Sequence, residues 1–546
     1  MPLPRVRDRD PVDGLARSPL VRLLLAIAWA GMLPSVAAQT LPAGAGYQIG
    51  DGTRPALGPR RGIEGWATDV SFTTQATLTN NANYGASNVR QGDLILQFIP
   101  ALSFDREGGR LRTSGFVSLN FLGYVDGTQV SSILPNANII ANLEAIDNLF
   151  FVDAAFFAGQ SVVNPYLPRS GYSSTNNLYT STQGRIAPYF KGNFGYNTTW
   201  LVRSDNAYTW TSQPDNPIGS AYYARNTAEV VRAPTPLGAS VRLTNDLTRV
   251  SGQQQPDQTL NTGIATLDFA FTPQLTLGLR GGYETSTYTA EEIAGPLYGG
   301  SIAWRPTPLT SVVGYWDERF FGPSYLFEAS HRQRRVSTSA SFYRTLTTYP
   351  QVLLQIPATN SVAGILNGIL VLRFPDPIER AKAIQDLIVR QGLPQSLPAG
   401  AYVYNQSANI LTGDNINWVL TGVRNTLALN VFYLKTELLP DARVPPTFLN
   451  FNNSIQQGGG VTLSHILTPV VSLNSTLSTQ LTRGFGPTEG FKTRQGTASL
   501  QGNWQMSPRT SSFVGLRYQY QSQANSAFPG YESSEFAVFT GLFHRL

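Results

Sequence analysis

The feature that most limits what this chain can fold into is a strict alternation of apolar and polar residues, repeated segment after segment toward the carboxyl terminus. Leu275, Leu277, Leu279, Gly281 and Tyr283 alternate with Thr276, Gly278, Arg280, Gly282 and Glu284. Val471, Leu473, Leu477 and Leu481 alternate with Ser472, Asn474, Thr476, Ser478 and Gln480. Val514, Leu516, Tyr518 and Tyr520 alternate with Gly515, Arg517, Gln519 and Gln521. A period of two puts successive side chains on opposite faces of an extended strand, so each segment is a strand with one apolar and one polar face. A soluble sandwich or propeller would need a dry core for the apolar faces. Here the opposite faces carry Gly, Ser, Thr, Asn, Gln and Arg, which suits a barrel with lipid outside and a wet lumen inside.

The connections sharpen this reading. Tight corners occur at Pro234-Thr235-Pro236, Thr272-Pro273-Gln274, Arg305-Pro306-Thr307-Pro308, Thr468-Pro469 and Ser507-Pro508. Proline presets φ for a turn and cannot donate to a ladder, so it belongs there. Arg106-Glu107-Gly108-Gly109 and the run from His331 to Arg335 read as further tight turns. Between them lie longer connections at 125–139, 161–182, 206–225, 248–257, 286–297, 437–455, 483–492 and 522–530. Strict alternation of short and long connections is the pattern of an outer-membrane barrel, with short turns at the periplasmic end and long loops outside. Counting hairpins from Trp66 to Leu546 predicts an all-β, antiparallel transmembrane barrel over 65–546 with about 22 strands, in a range of roughly 18–22. The last strand, Phe536 to Leu546, ends on Leu546 and His544 where bacterial barrels usually carry an aromatic residue.

Composition agrees. Charged residues are 14 %, against roughly 25 % in soluble domains. There is no cysteine, which excludes disulfides, thiolate metal sites and cysteine nucleophiles. The formal net charge is +6 and the arginines are scattered, so a nucleic-acid footprint is not indicated. At the amino terminus, Arg5, Arg7, Arg9, Arg17 and Arg22 precede an apolar run from Leu23 to Leu33, and Val36-Ala37-Ala38 places small residues for cleavage before Gln39. Residues 1–38 therefore read as a signal peptide for export, and the Gly- and Pro-rich stretch 39–64 as a flexible periplasmic tail.

One segment breaks the strand pattern. Residues 350–412 form the longest connection and are predicted to contain a helix over 377–391. Asp376 is its N-cap, Pro377 its first residue and Gly392 its stop. Ala381, Ile384, Leu387 and Ile388 share one face and need a surface to cover them. The insert is either a plug in the lumen or a surface loop.

Two stretches carry a family resemblance: LILQFIPALSFDREGGRLRTSGFVSLNFLGY from Leu94 to Tyr124, and LEAIDNLFFVDAAFFAGQSVVNP from Leu143. They resemble the PEP-CTERM system-associated outer-membrane proteins, a family similar to β-barrel porins of exopolysaccharide loci. Phe342-Tyr343-Arg344-Thr345-Leu346 and the insert from Pro377 to Pro394 fit the same family. The resemblance implies an outer-membrane barrel associated with exopolysaccharide secretion, and it brings no catalytic residues.

Enzyme chemistry is weakly represented. His331, His465 and His544 are the only histidines, and none has a partner at metal-ligand spacing. There is no G-x-S-x-G elbow and no phosphate-binding loop. No cofactor, metal or catalytic site is expected. The residues of interest are charges on the polar faces: Arg110, Arg112, Arg203, Asp268, Arg280, Glu284, Arg344 and Arg517 are the candidate lumen lining. Opposed charges in a pore set its selectivity. Phe116, Trp210 and Trp304 either offer flat surfaces to sugar rings or belong to interfacial girdles. The reading is a channel or assembly component for exopolysaccharide export. Its expected partners are outer-membrane lipid and lipopolysaccharide, the exopolysaccharide, and periplasmic export components. A general diffusion porin and an outer-membrane lipid-modifying enzyme are the alternatives.

Overall fold

The computed structural model describes residues 66–86, 89–106, 108–162, 164–167, 177–212, 219–251, 257–354, 407–442, 453–524 and 530–546. The expected leader 1–38, tail 39–64 and helix 377–391 lie outside the described residues. The first strands are β1 (Trp66–Thr79), β2 (Asp93–Arg106), β3 (Leu111–Tyr124), β4 (Ser132–Ile146), β5 (Phe150–Val162), β6 (Leu178–Phe194), β7 (Thr198–Ser212) and β8 (Gly219–Arg232). They are followed by β9 (Leu237–Val250), β10 (Gln258–Thr272), β11 (Leu275–Ser286), β12 (Ile293–Thr307), β13 (Thr310–Arg319), β14 (Gly322–Arg332) and β15 (Val336–Thr347). A short helix, α1 (Tyr349–Leu354), opens the long connection. The remaining strands are β16 (Asn409–Thr421), β17 (Asn425–Leu438), β18 (Ser454–Thr468), β19 (Val471–Gly484), β20 (Lys492–Ser507), β21 (Thr510–Ala524) and β22 (Tyr531–Arg545).

Every strand pairs antiparallel with its sequence neighbours, and β22 pairs back onto β1 from Ser71↔Arg545 to Thr79↔Ala537. The result is a closed 22-stranded barrel. Closure removes the free edges, so every strand ladder has a partner on both sides. A circular ring of strands spaced about 4.8 Å and tilted about 40° would be roughly 40 Å across at this strand number, wider than the wall's own side chains fill.

The proline corners explain how the short turns close. The hydroxyl before proline caps the turn: Thr272 Oγ1 accepts from the Leu275 N–H at 3.0 Å, and Ser507 Oγ accepts from the Thr510 N–H at 3.1 Å. A register irregularity sits beside each of these corners, at Ala270/Thr272 and Gln505/Ser507, and another at Ile466/Thr468. Such bulges let the bulged strand bend without losing the rest of the ladder. The strict alternation of short and long connections does not hold everywhere. Gly322 pairs with Arg319, so Phe320-Phe321 makes a tight turn at the long-loop end between the two shortest of these strands. Strands also run further into the expected loops, with β4 starting at Ser132 and β6 at Leu178.

The outer wall is the apolar face. Leu78, Phe98, Val202, Leu243, Leu279, Leu477 and Leu516 are all exposed there, an arrangement suited to lipid rather than water. Trp304, Phe271 and Trp504 form a belt toward the short-turn end, and Tyr208, Trp210, Tyr283, Tyr298, Trp316 and Tyr518 another toward the long-loop end. Two aromatic belts mark two membrane interfaces. Trp210 and Trp304 thus belong to the girdles and not to the lumen. One outer stretch is polar: Ser204, Asn226, Asn245, Asn261 and Thr285 hydrogen-bond in sequence from β7 to β11 at 2.7–3.2 Å, which satisfies groups that lipid cannot.

Candidate functional site

The polar faces meet inside the barrel and build rows of buried ion pairs. Arg203 on β7 reaches Asp153 on β5 at 2.7 Å and Asp205 at 3.0 Å, and Arg185 on β6 closes on the same Asp205. Asp205 and Arg203 are two residues apart and therefore on one face. Next along the wall, Arg225 Nε lies 2.6 Å from Asp246 Oδ1, the same oxygen that accepts from the Tyr223 hydroxyl at 2.5 Å, and Arg225 Nη2 donates to Oδ2 at 3.0 Å. Further round, Arg280 pairs with Asp317 at 2.7 Å and stacks over Tyr315, and Arg319 pairs with Glu284. Arg517 bonds Glu535 at 2.8 Å, and the Tyr84 hydroxyl donates to the same carboxylate at 2.7 Å. Charges removed from water persist when a partner and further hydrogen bonds satisfy them, which holds for each of these groups.

Of the eight candidates from the sequence, Arg203, Arg280, Glu284 and Arg517 are members of these pairs. Asp268 lies on the same inner face and accepts from the Ser301 hydroxyl. Arg112 is on the inner register of β3, exposed, opposite Asn142, which itself bonds the Tyr189 hydroxyl at 3.1 Å. Two candidates sit elsewhere. Arg110 lies in the turn before β3 and pairs with Asp147 at 2.9 Å, both largely exposed at the short-turn rim. Arg344 is directly opposite Tyr325 and two residues from Phe342 on the outer register, where its guanidinium bonds the Phe321 and Pro323 carbonyls near the long-loop rim. Arg344 follows a five-residue alternation whose phase the sequence alone left open, since Tyr343 and Arg344 are equally plausible on either face. Phe116 is on the inner register of β3.

The mouth at the long-loop end is crossed by chain. Helix α1 leaves β15 and anchors on the facing wall: the Tyr349 and Tyr179 hydroxyls bond at 2.8 Å, Tyr349 and Ser181 at 2.6 Å, and Gln183 donates to the Pro350 carbonyl at 3.0 Å. On its other side Val352 packs with Leu411 and Leu434 of β16 and β17. The β11–β12 and β17–β18 connections meet through a Thr289↔Ala442 bridge and an Ala290 N–H to Asp441 carbonyl bond of 2.9 Å. Tyr288, Phe321, Leu346, Ile410 and Leu439 belong to a buried cluster against which Ala442 of that bridge packs. From a third direction, the Tyr166 hydroxyl donates to the Asn453 carbonyl at 3.0 Å, and Thr493 donates to the Tyr166 carbonyl at 2.8 Å. The β1–β2 connection also turns inward, with Asn81 bonding the Ser534 carbonyl at 3.0 Å.

Burial pushes the Tyr166 phenol up to about 12, against an ordinary 10.0. A neutral phenol is thus favoured by the folded mouth. Its contribution is complete below about pH 10 and is lost as pH rises toward 12, because only the released chain ionises there. Tyr166→Phe is expected to remove this alkaline sensitivity of the β5–β6 connection, read as amide hydrogen exchange of residues 164–167 against pH.

Sequence reasoning offered the 350–412 insert as a plug or a surface loop, and missed the other crossings and the partners Arg185, Asp205, Asp153, Asp246, Asp317, Arg319 and Glu535. Arg225 and Asp246 stand directly opposite in register, a signal readable only once strand pairing is known. The three histidines sit near the short-turn end and bond Thr or Asn: His331 to Thr310 at 2.8 Å, His544 to Thr510 at 2.9 Å and His465 to Asn425 at 2.5 Å. None of these partners is a carboxylate. Among the described residues no group of three or more acids and histidines is placed to hold a metal ion.

No family model and no curated relative matches the chain. Solved structures with a similar course include the siderophore receptor PirA from Pseudomonas aeruginosa, at 8 % identity over 88 % of this chain and 80 % of that one, with a TM-score of 0.41. PirA from Acinetobacter baumannii gives 8 % identity over the same shares and 0.43. The outer membrane channel DcaP of Acinetobacter baumannii gives 10 % identity over 90 % of this chain and 100 % of that one, and 0.29. At such values the likeness extends to the barrel and no further.

Proposed function

We propose that this outer-membrane-type barrel is a channel for an extended polar solute, held restricted at its outer mouth, and that the solute is an exopolysaccharide. The observation that carries the channel reading is the combination of a ring too wide to fill itself with a polar, ion-paired inner wall. Crossing by α1 and by the bridged connections narrows the long-loop end, so a flexible chain passes where a globular solute does not. In the membrane the short turns face the periplasm and the long connections face outward. Because Arg185, Arg203, Arg225, Arg280, Arg319 and Arg517 of the inner wall are matched by carboxylates, that wall presents fixed dipoles more than free charge, which suits a hydrated, weakly charged glycan. The glycan itself rests on the resemblance of Leu94 to Tyr124 and of the stretch from Leu143 to the exopolysaccharide-associated family.

The second reading is a general diffusion porin, favoured by the same wide polar lumen. The test is single-channel current through the refolded protein with linear glycans added to the short-turn side. Length-dependent interruptions of current are expected from glycans, and none from a globular protein of equal mass. Steady current that no glycan interrupts supports the diffusion porin instead.

A further inference from the structure

On the outer wall near the long-loop rim, Arg483 of β19 stands directly opposite Lys492 of β20, and Arg494 is opposite Leu481 in the next outward pair. All three are exposed and share the outer face with Leu477 and Leu500. Like charges directly opposite across a ladder repel, and none of the three has a carboxylate partner among the described residues. Lys435, on the same outward row, is already paired with Glu437 at 2.8 Å. Glu532 accepts from the Tyr520 hydroxyl at 3.2 Å, and Glu489 is exposed in the connection before Lys492. Arg483 lies within electrostatic range of the Tyr433 hydroxyl, which is no carboxylate.

Height locates the cluster. Ten residues separate Trp504 in the short-turn belt from Arg494 on the same strand. At about 3.3 Å per residue and a tilt of about 40°, that is roughly 25 Å along the membrane normal, the height of the apolar band of such a barrel. The cations therefore stand at headgroup depth, immediately above the apolar surface of Leu481, Leu477, Ala498 and Leu500, which acyl chains can cover. The inner-wall pairs bring arginine and carboxylate together; on this outer patch two arginines and a lysine stand together with no carboxylate partner among the described residues.

We propose that Arg483, Lys492 and Arg494 form a wall site for the phosphate groups of a lipid headgroup in the leaflet at the long-loop rim, an inference that rests on the outer-membrane reading above. Two guanidinium groups offer bidentate geometry to phosphate oxygens, and the lysine adds a point charge. The apolar surface beneath selects a phosphorylated lipid over free phosphate.

The test refolds the full chain into phosphatidylcholine vesicles with and without lipid A, and counts co-extracted lipid A by native mass spectrometry. The intact protein is expected to retain lipid A, and inorganic phosphate in excess is expected to displace little of it. Arg483→Ala/Lys492→Ala/Arg494→Ala is expected to lose roughly a hundredfold of the preference over phosphatidylcholine, since each basic group at an anionic surface contributes about fivefold. Arg483→Lys/Arg494→Lys is expected to keep most of it. Retention unchanged in a triple variant that inserts normally, shown by its heat-dependent gel mobility, overturns the site. Displacement by inorganic phosphate alone overturns the lipid assignment. Failure of the intact chain to insert into either vesicle overturns the outer-membrane reading, and the site with it.

Discussion

Replacing Asp205 with Ala is expected to destabilise the barrel by roughly 3–5 kcal/mol and to turn its lumen anion-selective. Asp205 is the shared acceptor of two guanidinium groups, Arg185 and Arg203, and all three side chains are mostly buried in the inner wall. Asp153 reaches only Arg203, so the substitution strands Arg185 without a carboxylate. Breaking a buried pair by removing one partner costs far more than the pair contributes net, because the remaining charge must rehydrate or stay unpaired. Rehydration is the route open to a lumen, and it places a cation in the conduction path. The stability term is read from the guanidinium midpoint of the protein in detergent, and the selectivity term from the reversal potential in a salt gradient. Asp205→Asn, which keeps the shape but not the charge, is expected to resemble Asp205→Ala in both. A loss under about 1 kcal/mol, the range of exposed pairs, together with an unchanged reversal potential, would mean that these groups are already solvated.

That network also shows how far the sequence is legible. The alternation in β11, β19 and β21 follows from local geometry, because facing lipid or water is decided residue by residue. The Thr-Pro and Ser-Pro corners are equally local: a hydroxyl, a fixed φ and a missing donor act within four residues. Pairing across strands is not local. Arg225 meets Asp246 only because β8 and β9 take one register among several, and a one-residue slip of either strand would turn its own member of the pair to the lipid face. Arg344 illustrates the cost of not knowing phase: its neighbours Tyr343 and Thr345 are both compatible with either face, and the structure puts Arg344 outside. The crossed mouth was hidden for a related reason. Tyr166 finds Asn453 and Thr493 far along the chain, and nothing in the residues around position 166 encodes those partners. The Phe320-Phe321 turn did carry a local mark, since Gly322 at φ +88° closes it and Pro323 follows, but the sequence reading did not use that signal.

Replacing Thr348–Ala408 by an Asn-Gly turn is expected to raise single-channel conductance several-fold while leaving the barrel folded. Thr347 and Asn409 are directly opposite at the top of β15 and β16, so the ends of the deletion already stand at hairpin distance, and Asn-Gly suits the primed turn that a two-residue hairpin prefers. The deletion removes α1, whose Tyr349 ties it to Tyr179 and Ser181 while Val352 packs with Leu411 and Leu434. One short helix thus contacts both the β16–β17 wall and β6, and its loss removes both sets of contacts from the mouth. The substitution also exposes Leu411 and Leu434 to the lumen, a stability cost of a few kcal/mol at most at roughly 25 cal/mol per Å² of apolar surface. A closed ladder of this length tolerates such a loss, because every strand keeps both neighbours. Tyr349→Phe together with Gln183→Ala removes the polar anchors without shortening the chain. That variant is expected to give flickering current of intermediate size, since α1 then keeps its apolar hold but not its hydrogen bonds. Conductance equal to that of the intact protein in both variants would place the restriction at the Thr289–Ala442 bridge or the Tyr166 crossing instead, and the same measurement on Tyr166→Ala then separates those two.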